Sequence, residues 1–319
     1  MSNILVTGGA GFIGSRYINY IHAKTSHNII CVDNMTYAAN LDRINEDVKT
    51  KGGRFTFLQK DICDITAKDI PEVNLIVNFA AESHVDNSIK DGTPFINSNV
   101  LGVLNLLQIA RDQDKGVFKK FVQVSTDEVY GDMTEYRGVD TRASESYPLK
   151  PSSYYSASKA SAEHLVTAAH RTYGVPYLIT RCCNNYGPMQ DNEKFIPVVL
   201  KSMKEGTPIP VYGKGDQIRE WIHVDKHVKV IHELSQLREA SNTYNIGTGL
   251  ELTNVELIEL ISKASGLSYE AETVSDRLGH DRKYSIDCGK LLKRMPYLAE
   301  ELLPNIEGFT SFLNNESRN

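Results

Sequence analysis

The chain lacks the makings of a disulfide framework: its five cysteines are an odd number, and no two stand in C-x-x-C spacing. That excludes a small stapled scaffold and a zinc ribbon and points to reduced thiols. Cys31 and Cys63 sit within or beside apolar stretches, while Cys182 and Cys183 are neighbours that cannot both face one way in a strand. None is expected to be a catalytic nucleophile. No apolar run reaches the roughly 18 residues of a membrane span, and no tract is of low complexity. With 41% hydrophobic and 24% charged residues, the composition is that of a soluble globular protein. A net charge of −5 without a basic stripe offers no electrostatic support for a nucleic-acid surface, so any anionic ligand must be met locally. The opening MSNILVTGG turns at once into a strand and a glycine loop, leaving no room for a basic n-region and an apolar h-region. Export is therefore not expected, and the setting reads as cytoplasmic. There is no internal repeat.

What is present is a rhythm. At roughly 150 residues per domain, 319 residues suggest two domains or one large α/β unit. The β-rich runs NILVT, NIICVD, RFTFLQ, NLIVNFA, KFVQVS and PYLITR alternate with helical segments, the pattern of a doubly wound parallel Rossmann sheet. FINSNVLGVLNLLQIARD and SYYSASKASAEHLVTAAHRTYG carry apolar residues at helical spacing and read as long helices against that sheet. Beyond Arg181 the texture changes to turns and short segments, NNYGP, GTPIPVYGKGD and NIGTGLELT, with one more helix at NVELIELISKASG. The expected division is a dinucleotide-binding domain over 1–181 and a smaller, mainly substrate-binding domain over 182–319. HVDKHVKVIHELSQL is helical enough to carry the chain back to the sheet layer around 215–246.

ILVTGGAGFIG places Gly9, Gly11 and Gly14 in G-x-G-x-x-G spacing, directly after a strand and at the opening of a helix. Glycines there permit a tight turn, close approach of backbone N–H groups to a pyrophosphate, and close helix packing, with the positive helix end facing the phosphates. The second strand ends in Asp33, nineteen residues beyond Gly14, where a carboxylate accepts ribose hydroxyls and repels a 2′-phosphate. NAD is favoured over NADP; the alternative for Asp33 is a solvated strand-end acid. Asp61 and Ile62, after the third strand, are placed to contact the adenine.

Tyr155-x-x-x-Lys159 falls on one face of a predicted helix, so a nearby ammonium can lower the phenol's pKa and make the tyrosine a base for a hydroxyl proton. Tyr20-x-x-x-Lys24 matches the same pattern but lies on the first helix, where a packed or surface tyrosine is expected. Tyr155 opens its helix shortly after STDEVYG, near the carboxyl edge of the sheet. In STDEVYG an apolar strand ends in two adjacent carboxylates, Asp127 and Glu128. They are either an acid–base pair or a strand-end turn in which Asp127 caps backbone N–H groups and Glu128 faces water. Both can reach one ligand only if the backbone bends just after Ser125.

TGGAGFIG, AAESHVDNSI, STDEVYG, YSASK, RCCNNYGP, PVYGKGDQIREWIHV and RLGHDRKY together resemble the nucleoside-diphosphate-glucose 4,6-dehydratases of the extended short-chain dehydrogenase/reductase superfamily. The similarity runs to about residue 288; the C-terminal part is shorter than usual, and Leu278 stands where proline is common. The resemblance implies a lyase that oxidises the sugar's 4-hydroxyl, eliminates water across carbons 5 and 6, and returns the hydride to carbon 6. By it, Glu128 removes the carbon-5 proton, Asp127 protonates the departing 6-hydroxyl, Tyr155 takes the 4-hydroxyl proton, Lys159 holds the nicotinamide ribose, and Thr126 bonds the 4-oxygen. It implies cofactor contacts from Gly8, Phe12 and Ile13 beside Gly11 and Gly14, from Asn34 and Thr36 beside Asp33, and from Ala80, Ala81, Ser98 and Asn185. Substrate contacts are implied for Ser83, Asn184, Lys194 and Phe195, for Pro210, Tyr212 and Arg219, and for Asn254, Arg277 and His280. It further implies a homodimer formed through the two long helices.

Some alternatives stay open at this point. Arg219 and Arg277 suit phosphate oxygens through paired donors, or surface salt bridges. His223 and His227 have i, i+4 spacing with Asp225 between them, but no H-E-x-x-H accompanies them, and no metal is expected. A non-catalytic NAD-binding scaffold would not need Tyr155, Lys159, Asp127 and Glu128 together. A sugar-nucleotide 4-epimerase or decarboxylase shares the glycine loop and the Tyr-Lys pair but has no elimination for the acid pair to perform. The base, thymine or uracil, differs by one methyl, worth about 0.8 kcal/mol when buried, so dTDP-glucose and UDP-glucose are both candidate substrates.

Overall fold

The computed structural model describes residues 2–135, 141–239 and 241–318. The chain opens with β1 (Asn3–Thr7), α1 (Phe12–Lys24), β2 (Asn28–Asp33), α2 (Glu46–Thr50), β3 (Phe55–Gln59) and β4 (Leu75–Asn78). Two short helices, α3 (Val85–Lys90) and α4 (Thr93–Ile96), lead through a π-helical stretch, 97–102, into α5 (Val103–Asp112). β5 (Lys120–Thr126), α6 (Tyr154–Tyr173) and β6 (Tyr177–Cys182) follow. The remainder is β7 (Asn184–Tyr186), α7 (Phe195–Glu205), β8 (Ile209–Tyr212), β9 (Ile218–His223), α8 (Val224–Gln236), β10 (Asn242–Ile246), β11 (Glu251–Thr253), α9 (Asn254–Ser265), β12 (Ala271–Val274), α10 (Gly289–Arg294) and α11 (Ile306–Arg318).

Among the described residues the main sheet has seven strands in the order β10-β6-β5-β4-β1-β2-β3, all pairs parallel. Its strands alternate between two cores because successive side chains point to opposite faces. Ile4 and Val6 of β1 join Tyr17, Ile18 and Ile21 of α1 and Val228, Ile231 and Leu234 of α8 on one face. Leu5 joins Leu106 and Leu107 of α5 and Ala162, Val166 and Ala169 of α6 on the other. Six of the seven strands are those the sequence rhythm predicts. The seventh, β10, is reached by α8, which packs on α1 and is tied to it by a bidentate Arg16–Asp225 pair at 2.8 and 2.7 Å.

The order reverses at β1, which has β2 on one side and β4 on the other. Ligands of doubly wound sheets bind at the carboxyl ends of strands beside such a reversal. A third apolar cluster joins α7, α9 and α11 to Trp221 of β9 and Tyr186 of β7. β8 and β12 form a two-stranded parallel sheet beside it. Short segments that read as turns in the sequence, NNYGP and GTPIPVYGKGD, thus contain β7 and β8.

A buried polar knot ties β5, α6, β6 and β10 together. Arg181 donates from Nη2 and Nε to Glu163 Oε2 at 2.6 and 3.0 Å, and from Nη1 to the Tyr130 hydroxyl at 2.7 Å. That hydroxyl donates to Asn245 Oδ1 at 2.7 Å, and Ser125 Oγ donates to the other oxygen of Glu163 at 2.5 Å. Both charges are nearly excluded from water, so removing one strands the other. Glu163→Leu alone is expected to cost about 3–5 kcal/mol in denaturant unfolding. Glu163→Leu with Arg181→Met should recover more than half of that loss.

Candidate active site

The turn after β1 is built around Gly8, whose φ of +66° only glycine adopts without strain. A Cβ there would lie 2.5 Å from the Ala80 backbone nitrogen, and one on Gly14 would lie 2.2 Å from the Gly8 carbonyl oxygen. These two glycines let β1, α1 and the end of β4 close on one another. Gly9, which the sequence pattern assigns to the phosphate loop, instead faces the core, where a Cβ would meet Cys31 Sγ at 2.5 Å. The glycines on the cleft are Gly8 and Gly11, three residues apart. Gly11 is also the N-cap of α1, with no side-chain cap and no acidic residue in the first turn, so the free N–H groups there can receive a phosphate.

That cleft lies between the carboxyl ends of β1, β2, β3 and β4. Gly8, Gly11, Asp33, Asn34, Thr36, Asp61, Ile62, Ala80, Ala81 and Ser98 line it, as expected of cofactor contacts. Gly14 and Ile13 lie behind the glycine loop on α1, with Phe12 buried in the core. Asp33 is buried, so it is not a solvated strand end; its two oxygens accept the backbone N–H groups of Ala10 at 3.0 Å and Met35 at 2.9 Å. Burial raises its pKa, and those two bonds oppose the rise. Asn34 Nδ2 donates to Asp61 Oδ2 at 3.0 Å, tying together two of the residues that line the cleft. Ser98 lies on the π-helical stretch, a local widening often found at functional sites. The neighbouring Asn99 is buried and bonds the backbone of Glu82 and the Ser158 hydroxyl. Asn185 is set apart from the cleft: its Oδ1 meets His227 Nδ1 at 2.8 Å and its Nδ2 donates to the Cys183 carbonyl at 3.1 Å. A glycine turn open at Gly11, an uncapped helix start and a buried carboxylate fit the pyrophosphate and ribose of a dinucleotide.

β5 ends at Thr126 and the chain bends at once into a single 3₁₀ turn, Asp127–Tyr130. That is the bend the acid pair requires. The cap of the turn is Thr126, whose Oγ1 accepts the Glu128 N–H at 3.3 Å; Asp127 caps nothing. Asp127 is buried with Oδ1 3.2 Å from Thr126 Oγ1 and with Oδ2 lacking any partner among the described residues. Burial, then the charges of Glu128 and Glu220, push its pKa well above the ordinary carboxyl range, and Arg219 only partly opposes them. Glu128 is also raised by burial, but Arg219 and Arg277 pull it back. Two adjacent carboxyls thus occupy unlike electrostatic settings, the condition for dividing acid and base roles.

α6 begins at a Ser153–Ser156 capping box and ends at left-handed Gly174. The box sets the first turn, so Tyr155 and Lys159 lie one turn apart against the end of β5. Lys159 Nζ donates to the Val124 carbonyl at 2.6 Å, and burial lowers its pKa to about 8. Tyr155 bonds Thr126, while burial and the charge of Glu128 drive its pKa well above 10. Desolvation, rather than the lysine, dominates the phenol. Tyr20, by contrast, is half-buried edge-on to His232, as a packed tyrosine.

The residues expected to contact substrate come from several elements. Lys194 Nζ donates to Ser83 Oγ at 3.3 Å just before α7, whose first residue is Phe195. Arg219 lies over the Tyr284 ring at 4.2 Å and donates to the carbonyls of Ile218, Asp281 and Arg282, so it is no surface salt bridge. Arg277 does pair with a carboxylate, Asp86 at 3.3 Å, while its Nε is buried without a partner and its guanidinium stands over Tyr212. His280 Nδ1 meets Asp276 Oδ1 at 2.6 Å and leaves Nε2 buried and unpartnered; burial lowers its pKa. Tyr212 stands edge-on to His280, and exposed Pro210 lies on the same strand, β8. Asn254 Nδ2 donates to Gln217 Oε1 at 3.2 Å, and Asn184 lies on β7 opposite Trp221.

Glu220 escapes sequence reasoning although it stands in the quoted REW segment. Its Oε1 accepts the N–H groups of Thr248 and Gly249, each at 2.6 Å, and its Oε2 is buried without a partner. His227 is buried and neutral, its pKa lowered by burial to about 3, while His223 caps α8 by accepting the Asp225 N–H. Among the described residues no cluster of three potential metal ligands occurs.

Residues 4–247 match the NAD dependent epimerase/dehydratase family. The dTDP-glucose 4,6-dehydratase of Salmonella typhimurium is 40% identical over 317 residues, covering 92% of this chain and 87% of that protein. That of Haemophilus influenzae is 41% identical, covering 91% of each. The structure of the dTDP-glucose 4,6-dehydratase of Streptomyces venezuelae with NAD bound superposes with a TM-score of 0.89 at 40% identity, over 99% of this chain and 96% of that one. The chain belongs to the NAD dependent epimerase/dehydratase family and, within it, to the nucleoside-diphosphate-glucose 4,6-dehydratases.

Proposed function

We infer that this chain is an NAD-dependent hydro-lyase that converts dTDP-glucose or UDP-glucose to the 4-keto-6-deoxyglucose nucleotide, a step toward deoxysugars. The observation that carries the reading is the acid pair at the end of β5: Asp127 buried with an unpartnered oxygen and a strongly raised pKa, beside Glu128 facing two arginines. An epimerase would have no use for that asymmetry. NAD, when bound, accepts hydride from carbon 4 and returns it to carbon 6. Tyr155 takes the proton of the 4-hydroxyl while Thr126 bonds the 4-oxygen. Lys159 is protonated at neutral pH and, beyond its bond to Val124, has donors left for the nicotinamide ribose. The 4-ketone acidifies the carbon-5 hydrogen. Glu128 removes it, Asp127 gives its proton to the leaving 6-hydroxyl, and water departs with the carbon–oxygen bond.

Arg219, Arg277 and Lys194 are assigned to the diphosphate, and Ser83, Asn184, Phe195, Pro210, Tyr212, Asn254 and His280 to the rest of the nucleotide sugar. The lobe around β7, β8 and α9 is therefore the substrate side, and residues 1–181 with the returning 215–246 the cofactor side. Asn185 is assigned to the nicotinamide end. A cytoplasmic setting is supported by five free cysteines; among the described residues no helix is long and apolar enough to cross a membrane. A homodimer through the long helices is supported by Ile96, Leu101 and Leu104 before and within α5, and by Tyr154 and Tyr173 on α6, all exposed.

Glu128→Gln is expected to lower turnover by on the order of 10²–10⁴ with little change in KM, and to abolish deuterium uptake at carbon 5 in deuterated water. Asp127→Asn should retain that uptake and block loss of water; product NMR separates the two. Native elimination in either variant would refute its assigned role.

Turnover requires Glu128 ionised and Asp127 protonated, so kcat should fall at low pH as Glu128 gains a proton and at high pH as Asp127 loses one. Glu220→Gln removes a negative charge that raises Asp127. Its alkaline limb should move to lower pH while the acid limb stays, as a kcat–pH profile would record.

For the dimer, Leu101→Glu with Leu104→Glu should halve the mass seen by sedimentation equilibrium. An unchanged mass would place the contact elsewhere.

A further inference from the structure

The wall of the cofactor cleft beside the glycine turn is a strap, residues 34–43, between β2 and α2. Asn34, Thr36, Ala38 and Ala39 line the cleft from it. It leaves β2 through Met35, whose φ of +58° is left-handed and unfavourable for a non-glycine residue. Two bonds secure its near end: the Met35 N–H donates to Asp33 at 2.9 Å, and the Asn40 N–H donates to the Ala10 carbonyl at 2.9 Å. Local bonds shape the rest, the Ala39 N–H donating to the Thr36 carbonyl and the Asp42 N–H to Asn40 Oδ1, and one side chain ties the strap to a distant segment of the chain. Arg43 is nearly buried and does not line the cleft. It donates from Nη1 to the Ala38 carbonyl at 2.6 Å, from Nη2 to Asp191 Oδ1 at 2.6 Å, and from Nε to the Met189 carbonyl at 3.0 Å. Met189, in the connection between β7 and α7, is itself left-handed with a φ of +64°. The backbone of Arg43 is held in turn by Asn19 of α1, whose Nδ2 donates to its carbonyl at 2.8 Å.

One guanidinium therefore spans the strap that forms the cleft wall and a loop that enters from the second lobe. Its five N–H donors in a fixed fork suit this geometry, whereas a lysine has one point charge for three acceptors. The backbone of this wall is strained at Met35 and pinned at Ala38. We propose that Arg43 is a positioning residue that latches the strap to the 189–191 loop and thereby sets how long the dinucleotide stays bound. The proposal rests on the reading of the cleft as the NAD site. In an enzyme whose cofactor ends each cycle in its starting oxidation state, slow release costs nothing, and the latch gives that retention a structural basis.

The test compares the purified native protein with Arg43→Leu and Asp191→Asn. Each, loaded with NAD, is chased with an excess of isotopically labelled NAD, and exchange is followed by mass spectrometry of the released nucleotide. Melting in saturating NAD serves as the folding control. Exchange is expected on the order of 10- to 100-fold faster in Arg43→Leu and faster by a smaller factor in Asp191→Asn, which keeps the shape of a half-buried side chain. Turnover lost on gel filtration should return with added NAD, while the KM for the nucleotide sugar stays near the native value; a merely structural defect would move both. If Arg43→Leu does not fold, Asp191→Asn decides alone. Native exchange rates in the folded variants would overturn the latch and leave the cofactor reading standing, whereas a native protein with no affinity for NAD would overturn both.

Discussion

Much of this structure depends on how α6 is fastened to the carboxyl end of β5. Lys159 donates into the Val124 carbonyl, and Ser125 and Arg181 hold Glu163, one turn further along the same helix. The two contacts fix the helix along and around its axis against the strand. They set where Tyr155 stands relative to Thr126, Asp127 and Glu128, which are carried by the bend just beyond. The apolar packing of Ala162, Val166 and Ala169 against the sheet supplies adhesion, but it is non-directional and tolerates sliding. The polar contacts supply the register that the chemistry requires.

That register has a cost. Asp127, Tyr155 and Lys159 are withdrawn from water, and each pKa moves toward the neutral form: up for the acid and the phenol, down for the amine. Burial of such groups destabilises a fold unless partners compensate. Here Asp127 Oδ2 and Glu220 Oε2 have none among the described residues. The cores on both faces of the sheet must offset this, as expected where a site carries strain for function.

The parts of the fold that follow from local periodicity could be read in the sequence. Six strands, α1, α6, α8 and α9 stand where alternation and helical spacing put them, because those patterns record which face is buried. Gly9 shows the limit of a spacing rule: three glycines satisfy G-x-G-x-x-G, yet the backbone turns Gly9 into Cys31 and brings Gly8 to the cleft. β7 and β8 are hidden because a three-residue strand with two asparagines and a four-residue strand with a proline are too short to carry a period. Arg43 and Asp191 are 148 residues apart, and nothing local to either marks them as partners. Glu220 stood in plain view in REW, but its meaning lies in Thr248 and Gly249, which β10 delivers from elsewhere in the chain.

The two arginines facing Glu128 link binding to chemistry. Without substrate, Arg219 and Arg277 favour the ionised carboxylate and so hold down its pKa against burial. A carboxylate stabilised in this way is a weak base. In the reading proposed above, the diphosphate of the incoming nucleotide brings negative charge to those same guanidinium groups. Their pull on Glu128 is then partly spent on phosphate oxygens, while the sugar displaces water from around the carboxylate. Both changes act in one direction, raising the pKa of Glu128 and strengthening it as a base when a carbon-bound proton is within reach. Asp127 changes less, because its pKa is already raised by burial and by its acidic neighbours, with Arg219 and the Thr126 hydrogen bond opposing them. On that reading the difference between the two carboxyls is a resting condition: an acid whose surroundings favour its protonated form, and a base whose strength rises with the diphosphate that carries its substrate.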